Sequence, residues 1–331
     1  MNIALDIMGG DYSPEETLKG ASIFLQENNC SITLLGKKEV IEQGINSYPF
    51  NLDKVKIVDC KERVENDDLP ADVVRKKLNS PIMVGMDLLK EKKVDAFISA
   101  GNSGAVMAAA LLKLGCINSI RRPAIAAVIP TMKGQKVILD MGANVDCKPV
   151  HLLHFALMGS AYARAELQIE RPEVALLNIG EEKSKGNRVS RETYELLSKR
   201  DDINFIGNIE GRGVFLGLAD VVVCDGFIGN IFLKTIEGLA KMFMADFSTS
   251  ILESLPKDET TDLLKEKLYE YSITRDYKTY GGAPLLGVNG TCFICHGRSK
   301  AIAIKNALHG ACIFIKNKGL EHLKELNFKL E

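Results

Sequence analysis

No charge excess of either sign, no long apolar run and no dinucleotide fingerprint mark this 331-residue chain, whose 42 Lys and Arg face 43 Asp and Glu. A net charge of −1 leaves no global basic field, so nucleic acid is not an expected partner. No basic-plus-apolar leader precedes the first strand, and no apolar run reaches spanning length. The expected location is therefore cytoplasmic and not transmembrane. The first strand-to-helix turn holds paired glycines but not G-x-G-x-x-G, which argues against a Rossmann dinucleotide site. No repeat or low-complexity linker separates domains. Cys292 and Cys295 form a C-x-x-C without a second ligand pair at zinc spacing, and their apolar setting reads as a strand. No metal site is expected, even with His296 adjacent, and most of the eight cysteines read as buried free thiols.

What the chain does contain is an ordinary core-forming composition, 46% apolar and 26% charged. A strand–turn–helix pattern recurs along it. Strands are expected at 2–7, 31–35, 55–58, 95–99, 121–129, 135–139, 173–178, 203–206, 219–224 and 291–295. The pair around 130–134 reads as a hairpin, so the sheet should be mostly, not purely, parallel.

At least six strand ends carry Gly with Asn, Asp or Ser. Gly9, Gly10 and Asp11 follow the first, with Asp6 just before them. Asn102, Ser103 and Gly104 follow the fourth and enter an Ala-rich helix, where Ser103 can donate to a phosphate or cap the helix. Asp140, Asn144 and Asp146 follow 135–139; a hydrogen-bonded turn is the expected reading and a magnesium cage the alternative. Lys183, Lys185 and Asn187 sit in the turn 178–187, which can hold a small anion or be a solvated loop. Gly207 to Arg212 follow 203–206. Asp225, Gly226 and Asn230 follow 219–224. Polar chemistry concentrated at one end of successive strands implies one shared crevice.

From 231 to about 255 apolar residues recur at 232, 236, 239, 243, 247 and 251. A second amphipathic piece after Pro256 carries Leu263, Leu264, Leu268, Tyr269 and Tyr271. Residues 231–279 thus read as a helical hairpin inserted in a single 1–331 domain. It should pack on a partner subunit; its tip, Ile251, Leu252 and Leu255 near Lys257, can instead touch a membrane surface weakly.

Taken in order, the turns at 8–11, 99–104, 139–146, 178–187, 224–230 and 280–290 resemble those of the bacterial phosphate acyltransferase family PlsX, over nearly the whole chain. The resemblance implies a three-layer αβα sandwich similar to isocitrate and isopropylmalate dehydrogenases and to phosphotransacetylase. It implies a homodimer paired through the hairpin and no cofactor. The implied reaction joins acyl carrier protein thioester and inorganic phosphate into acyl phosphate and free carrier protein. A membrane acyltransferase then acylates glycerol 3-phosphate with the product. Departures from the family pattern fall at Ile7, Gly213, Leu216, Arg298 and Lys300.

That chemistry needs an oriented phosphate and donors for a developing oxyanion. The residues expected to supply them are Lys185, Asn187, Asn230 and the Ser103 turn, with Asn144 and Asp225 orienting them. Asp6 or Asp11 would shape the floor, Gly9, Gly10, Gly104 and Gly226 would admit close backbone approach, and His296 is a candidate proton donor to the leaving thiolate. Competing readings are an acyl-CoA enzyme like phosphotransacetylase, a non-catalytic scaffold gathering carrier protein at the membrane, and an oxidoreductase on the same fold.

Overall fold

The computed structural model describes residues 1–117, 119–246, 250, 255–256, 258, 260–267 and 281–328. Its strands are divided between two mostly parallel sheets. The first sheet contains β1 (Asn2–Asp6), β2 (Ser31–Gly36), β3 (Val55–Asp59), β4 (Ala96–Ser99) and β5 (Ala124–Ile125). The second contains β6 (Ala127–Thr131), β7 (Gly134–Leu139), β8 (Glu173–Leu177), β9 (Asn204–Ile209) and β10 (Val221–Val223). The chain then returns to the first sheet with β11 (Ala283–Leu286) and β12 (Cys292–Ile294). The strand orders are β3-β2-β1-β4-β12-β11-β5 and β6-β7-β10-β8-β9.

The expected strand over 121–129 is in fact two strands. β5 pairs antiparallel with β11 in the first sheet, and β6 pairs antiparallel with β7 in the second. The crossing falls at Ala126, which is fully buried and donates its N–H to the Pro284 carbonyl at 3.1 Å. An unbroken apolar run carries no mark of such a change of sheet, because both halves are buried and alternate alike.

Helices α1 (Glu15–Glu27), α2 (Lys38–Ile45), α3 (Pro70–Lys76), α4 (Pro81–Lys90) and α5 (Ser103–Lys113) belong to the first half. Pro70 and Pro81 stand in first turns, where the missing N–H has no helical partner to lose. Helices α6 (Pro149–Leu167), α7 (Arg188–Leu197), α8 (Gly211–Phe215) and α9 (Gly226–Asp246) follow, and helices Ala301–Lys316 and Gly319–Glu325 end the fold. Buried over most of its length, α6 packs between β7, β10 and β8 and the helices α7 and Ala301–Lys316, so it is an interior strut. Phe155 at its middle is fully buried, and its truncation to Ala would cost about 3–5 kcal/mol.

Of the expected hairpin, α9 is the first limb, and residues 260–267 are also helical. Phe247, Ile251, Leu252, Lys257, Leu268, Tyr269 and Tyr271 lie outside the described residues. Along α9, Ile231, Leu239, Met242 and Phe243 are exposed. Among the described residues, no helix is long and apolar enough to cross a membrane.

Candidate active site

Two neighbouring groups of strand ends meet across one cleft. In the first sheet, β1, β4 and β12 are adjacent and parallel, so the turns at 7–14, 100–102 and 295–299 leave the same edge. In the second, β7, β10 and β8 are adjacent and parallel, so the turns at 140–146, 224–226 and 178–187 leave one edge. The cleft encloses about 620 Å³. Asp11, Asn102, Ser103, Gly104, Asn230 and His296 line it.

The β1 turn is built on Asp6. Its buried carboxylate accepts from the amides of Met8 (2.9 Å) and Gly9 (3.0 Å) and from the Ser99 hydroxyl (2.7 Å). Ser99 in turn accepts the Gly101 amide at 3.0 Å, which ties the β1 and β4 turns together. Burial pushes the Asp6 carboxyl above its ordinary value, and the hydrogen bonds from Ser99, Met8 and Gly9 oppose that shift. Gly9 must be glycine: a Cβ there would stand 2.7 Å from both Asp6 and the Gly101 nitrogen.

Asn102 caps α5, its side-chain oxygen accepting from the Ala105 amide at 3.0 Å. Its amide group donates to the Asp68 carbonyl at 3.0 Å, fixing the cap to the loop before α3. Val106 opens the helix ladder by donating to the Asn102 carbonyl, and the first-turn amides of Ser103 and Gly104 before it are open to solvent or a ligand. Asp11 donates its N–H to the Gly297 carbonyl at 2.7 Å and accepts from Asn66 at 3.1 Å, while Arg298 stands 3.7 Å from its carboxylate. The Arg298 N–H donates to His296 Nδ1 at 3.0 Å, which leaves the ring proton of a neutral His296 on Nε2.

The opposite turn is built on Asp140, which is fully buried. It accepts from the amides of Ile125, Ala143 and Asn144 and from the Asn144 side chain. Burial raises its carboxyl, with Asn144 the largest opposing influence. Asn144 is itself buried and also donates to the Pro123 carbonyl at 2.7 Å, so it braces the turn and does not line the cleft. This is the hydrogen-bonded turn expected for 140–146. Asp225 caps the start of α9 by accepting from Ile228 at 2.8 Å, and Gly226 donates to the Asn144 carbonyl at 2.8 Å. A Cβ on Gly229 would sit 2.0 Å from the Asp140 carbonyl oxygen, so α9 lies directly on that turn. Asn230 is thereby held at the cleft, its side chain against Gly142.

Lys185 and Asn187 do not line this cleft. Asn187 caps α7, accepting from Ser190 at 2.9 Å. Lys183 is engaged by Glu195 at 2.9 Å, whereas Lys185 is half-exposed and only 3.9 Å from Glu182. Both lysines ride on the turn after β8, which is separated from β7 by β10 alone, roughly 10 Å at ordinary strand spacing.

Several cleft residues escaped the sequence reading: Asn66, Ile129, Met141, Leu233, Lys234 and Glu237. Leu233, Lys234 and Glu237 follow Asn230 at three, four and seven residues, the spacing of one helix face, and that signal was available. Asn66 carried none. Cys292 and Cys295 are buried in or beside β12, and burial lifts both thiols to about 12.

A family model described as "Fatty acid synthesis protein" matches residues 1–321. The chain is 50% identical to the phosphate acyltransferase of Dictyoglomus thermophilum, over 93% of this chain and 92% of that protein. The chain belongs to this family of phosphate acyltransferases. The phosphate acyltransferase of Alkaliphilus oremlandii, 44% identical over 98% of this chain and 97% of its own length, agrees. Among solved structures, a phosphotransacetylase from Streptococcus pyogenes superposes with a TM-score of 0.65 at 17% identity, covering 97% of this chain and 94% of its own. The EutD phosphotransacetylase from Staphylococcus aureus gives 0.61 at 16%, covering 95% and 94%. The expected likeness to phosphotransacetylase therefore holds at the level of fold.

Proposed function

We propose that this acyltransferase-family chain moves a long-chain acyl group from acyl carrier protein to inorganic phosphate. The acyl phosphate would then serve a membrane enzyme that acylates glycerol 3-phosphate. One observation carries the reading. A single cleft joins donor groups from one strand edge, at Ser103, Gly104 and His296, to Asn230 on the other edge and to an apolar wall beside it.

In this reading phosphate is held between the start of α5 and Asn230. Helix N-termini favour anions, and the two first-turn amides need a partner. Lys185, loosely paired and on the neighbouring turn, supplies the cation. A phosphate oxygen attacks the thioester carbonyl and forms a carbon–oxygen bond. The resulting oxyanion takes hydrogen bonds from amide donors. The carbon–sulfur bond then breaks and the carrier leaves as thiolate, with the His296 Nε2 proton or water available to it. Holding the nucleophile in line can supply up to roughly 7–11 kcal/mol of the barrier.

The chain works as a homodimer paired through the hairpin, in the same reading, and meets the membrane peripherally. The exposed Ile231, Leu239, Met242 and Phe243 on α9 support that use of the limb. Hydroxylamine trapping of acyl phosphate tests the reaction, with hexadecanoyl carrier protein and phosphate as substrates. Hydroxamate that requires phosphate and prefers carrier protein over hexadecanoyl-CoA and acetyl-CoA is the expected result. Equal use of acetyl-CoA would favour a phosphotransacetylase-like enzyme, and no hydroxamate from any donor would reject transfer.

A further inference from the structure

We infer that the apolar wall formed by Val128, Ile129, Met141 and Leu233 is the subsite for the acyl chain. The inference rests on the reaction proposed above and assigns a part of the cleft to each part of its substrate.

The order of side chains along α9 sets the direction. Asn230, Leu233 and Glu237 all line the cleft. Their spacing of three and four residues puts them on one face, and the helical rise places Leu233 about 4.5 Å and Glu237 about 10 Å beyond Asn230. A carbonyl carbon held at Asn230 therefore has its chain beside Leu233 first. Farther along stands Glu237, buried at 8% exposure, with both carboxylate oxygens 3.1 Å from Lys234. This ion pair bounds the apolar stretch.

Across from α9, Ile129 and Met141 are anchored in the core of the second sheet, 3% and 6% exposed. They form a fixed backing. Val128 and Leu233 are only half-buried, so part of each side chain is open to the cleft. None of the four offers a hydrogen-bond donor from its side chain, and the Met141 thioether is the one, weak, acceptor among them. A sugar, nucleotide or peptide backbone laid there would leave polar groups unpaired, at a cost that a methylene chain does not meet. The polar groups that would hold the reacting head all lie on the Asn102, His296 and Asn230 side. One occupant satisfies both ends: a linear alkyl chain with an anionic or carbonyl head.

Alkyl phosphates of four, eight and twelve carbons are the probes, because they carry head and chain but cannot react. Titration calorimetry on the intact protein reads Kd. Affinity should rise with length, each buried methylene lowering Kd by at most about fourfold. Leu233→Trp and Val128→Phe, on different elements, should each shrink the dodecyl-to-butyl affinity ratio at least about tenfold, and Leu233→Ala should shrink it less. Unfolding midpoints of all three variants separate a lost subsite from a lost fold. A wild-type ratio near one, or ratios unmoved in both bulky variants that remain folded, would overturn the assignment. The same variants run in the hydroxamate assay distinguish the two layers. Length-dependent binding without any acyl phosphate would keep the subsite and remove the reaction; acyl phosphate formation without length-dependent binding would do the reverse.

Discussion

Asp6 and Asp140 hold matching stations in the two sheets. Asp6 ends β1 and Asp140 follows β7; each carboxylate is buried and gathers the backbone of the turn that comes next. The turns face each other across the cleft, so each aspartate shapes its own side without reaching the ligand. Asp140→Ala would leave the amides of Ile125, Ala143 and Asn144 without their acceptor. Each such buried donor costs about 1–3 kcal/mol. The variant should lose roughly 5–10 °C in Tm, with Asp140→Asn intermediate. Scanning calorimetry decides it, and an unchanged Tm would mean that the turn is held by something else.

Lys185→Ala should separate catalysis from folding. The side chain is half-exposed and its nearest carboxylate, on Glu182, is 3.9 Å away, so little stability depends on it. If it supplies the cation for phosphate, kcat/KM measured against phosphate should fall at least about tenfold, a loss of about 1.4 kcal/mol in transition-state binding. Lys183→Ala should change the rate less, since Lys183 is engaged by Glu195. A wild-type rate in Lys185→Ala would return the turn 178–187 to a solvated loop.

Glu166 gives the chain a pH dependence of its own. Burial raises this carboxyl from 4.5 to about 7, and its Oε2 lacks a hydrogen-bond partner. Between those values the folded state holds a proton that the unfolded state has released. Stability therefore falls as pH rises through that window and stays low above it. Glu166→Gln removes the titration. Urea unfolding should show the variant more stable than wild type above the window, by up to roughly 3 kcal/mol, and about equal near the lower end. A constant difference across the range would sink the assignment.

No thiol in the cleft is suited to carry the acyl group. Cys295 lines it, but burial pushes that thiol up to about 12, far from the thiolate that attack requires. Intact-mass measurement after mixing with hexadecanoyl carrier protein, without phosphate, should show no added acyl mass. A stable adduct of one acyl group would replace direct transfer by a two-step route.

How much of this was legible in the sequence depends on what each residue had to do. Turn residues announced themselves: Gly9, Asn102 and Asp225 are types that strand-end turns demand, and all were found by that route. The division into two sheets was hidden, because Ala126 joins β5 to β6 inside one apolar run and nothing local distinguishes their partners. β11 was hidden for the opposite reason, since Pro284 and flanking glycines look like loop. The part of the cleft's apolar side that the second sheet and its turn supply was invisible for a deeper reason. Ile129 and Met141 serve core and cleft together, and a residue type cannot say which of its faces meets solvent. Asn187 was expected to touch the phosphate and Asn144 to orient such contacts; the structure engages Asn187 Oδ1 with the Ser190 amide and the Asn144 side chain with the Pro123 carbonyl and the Asp140 carboxylate.

His296 presents a donor, and the backbone decides that. Because the Arg298 N–H occupies Nδ1, the neutral ring keeps its proton on Nε2. A donor in this place can steady the carbonyl oxygen or supply the leaving sulfur. It cannot take a proton from phosphate without first losing its own. Glutamine retains a donating amide of similar reach, whereas alanine retains none. His296→Gln should therefore keep a substantial part of wild-type kcat in the hydroxamate assay, and His296→Ala should fall at least about tenfold below it. Equal losses in the two variants would mean that the ring acts by titrating, and the donor role would be abandoned. Full activity in both would place His296 among the residues that merely border the cleft.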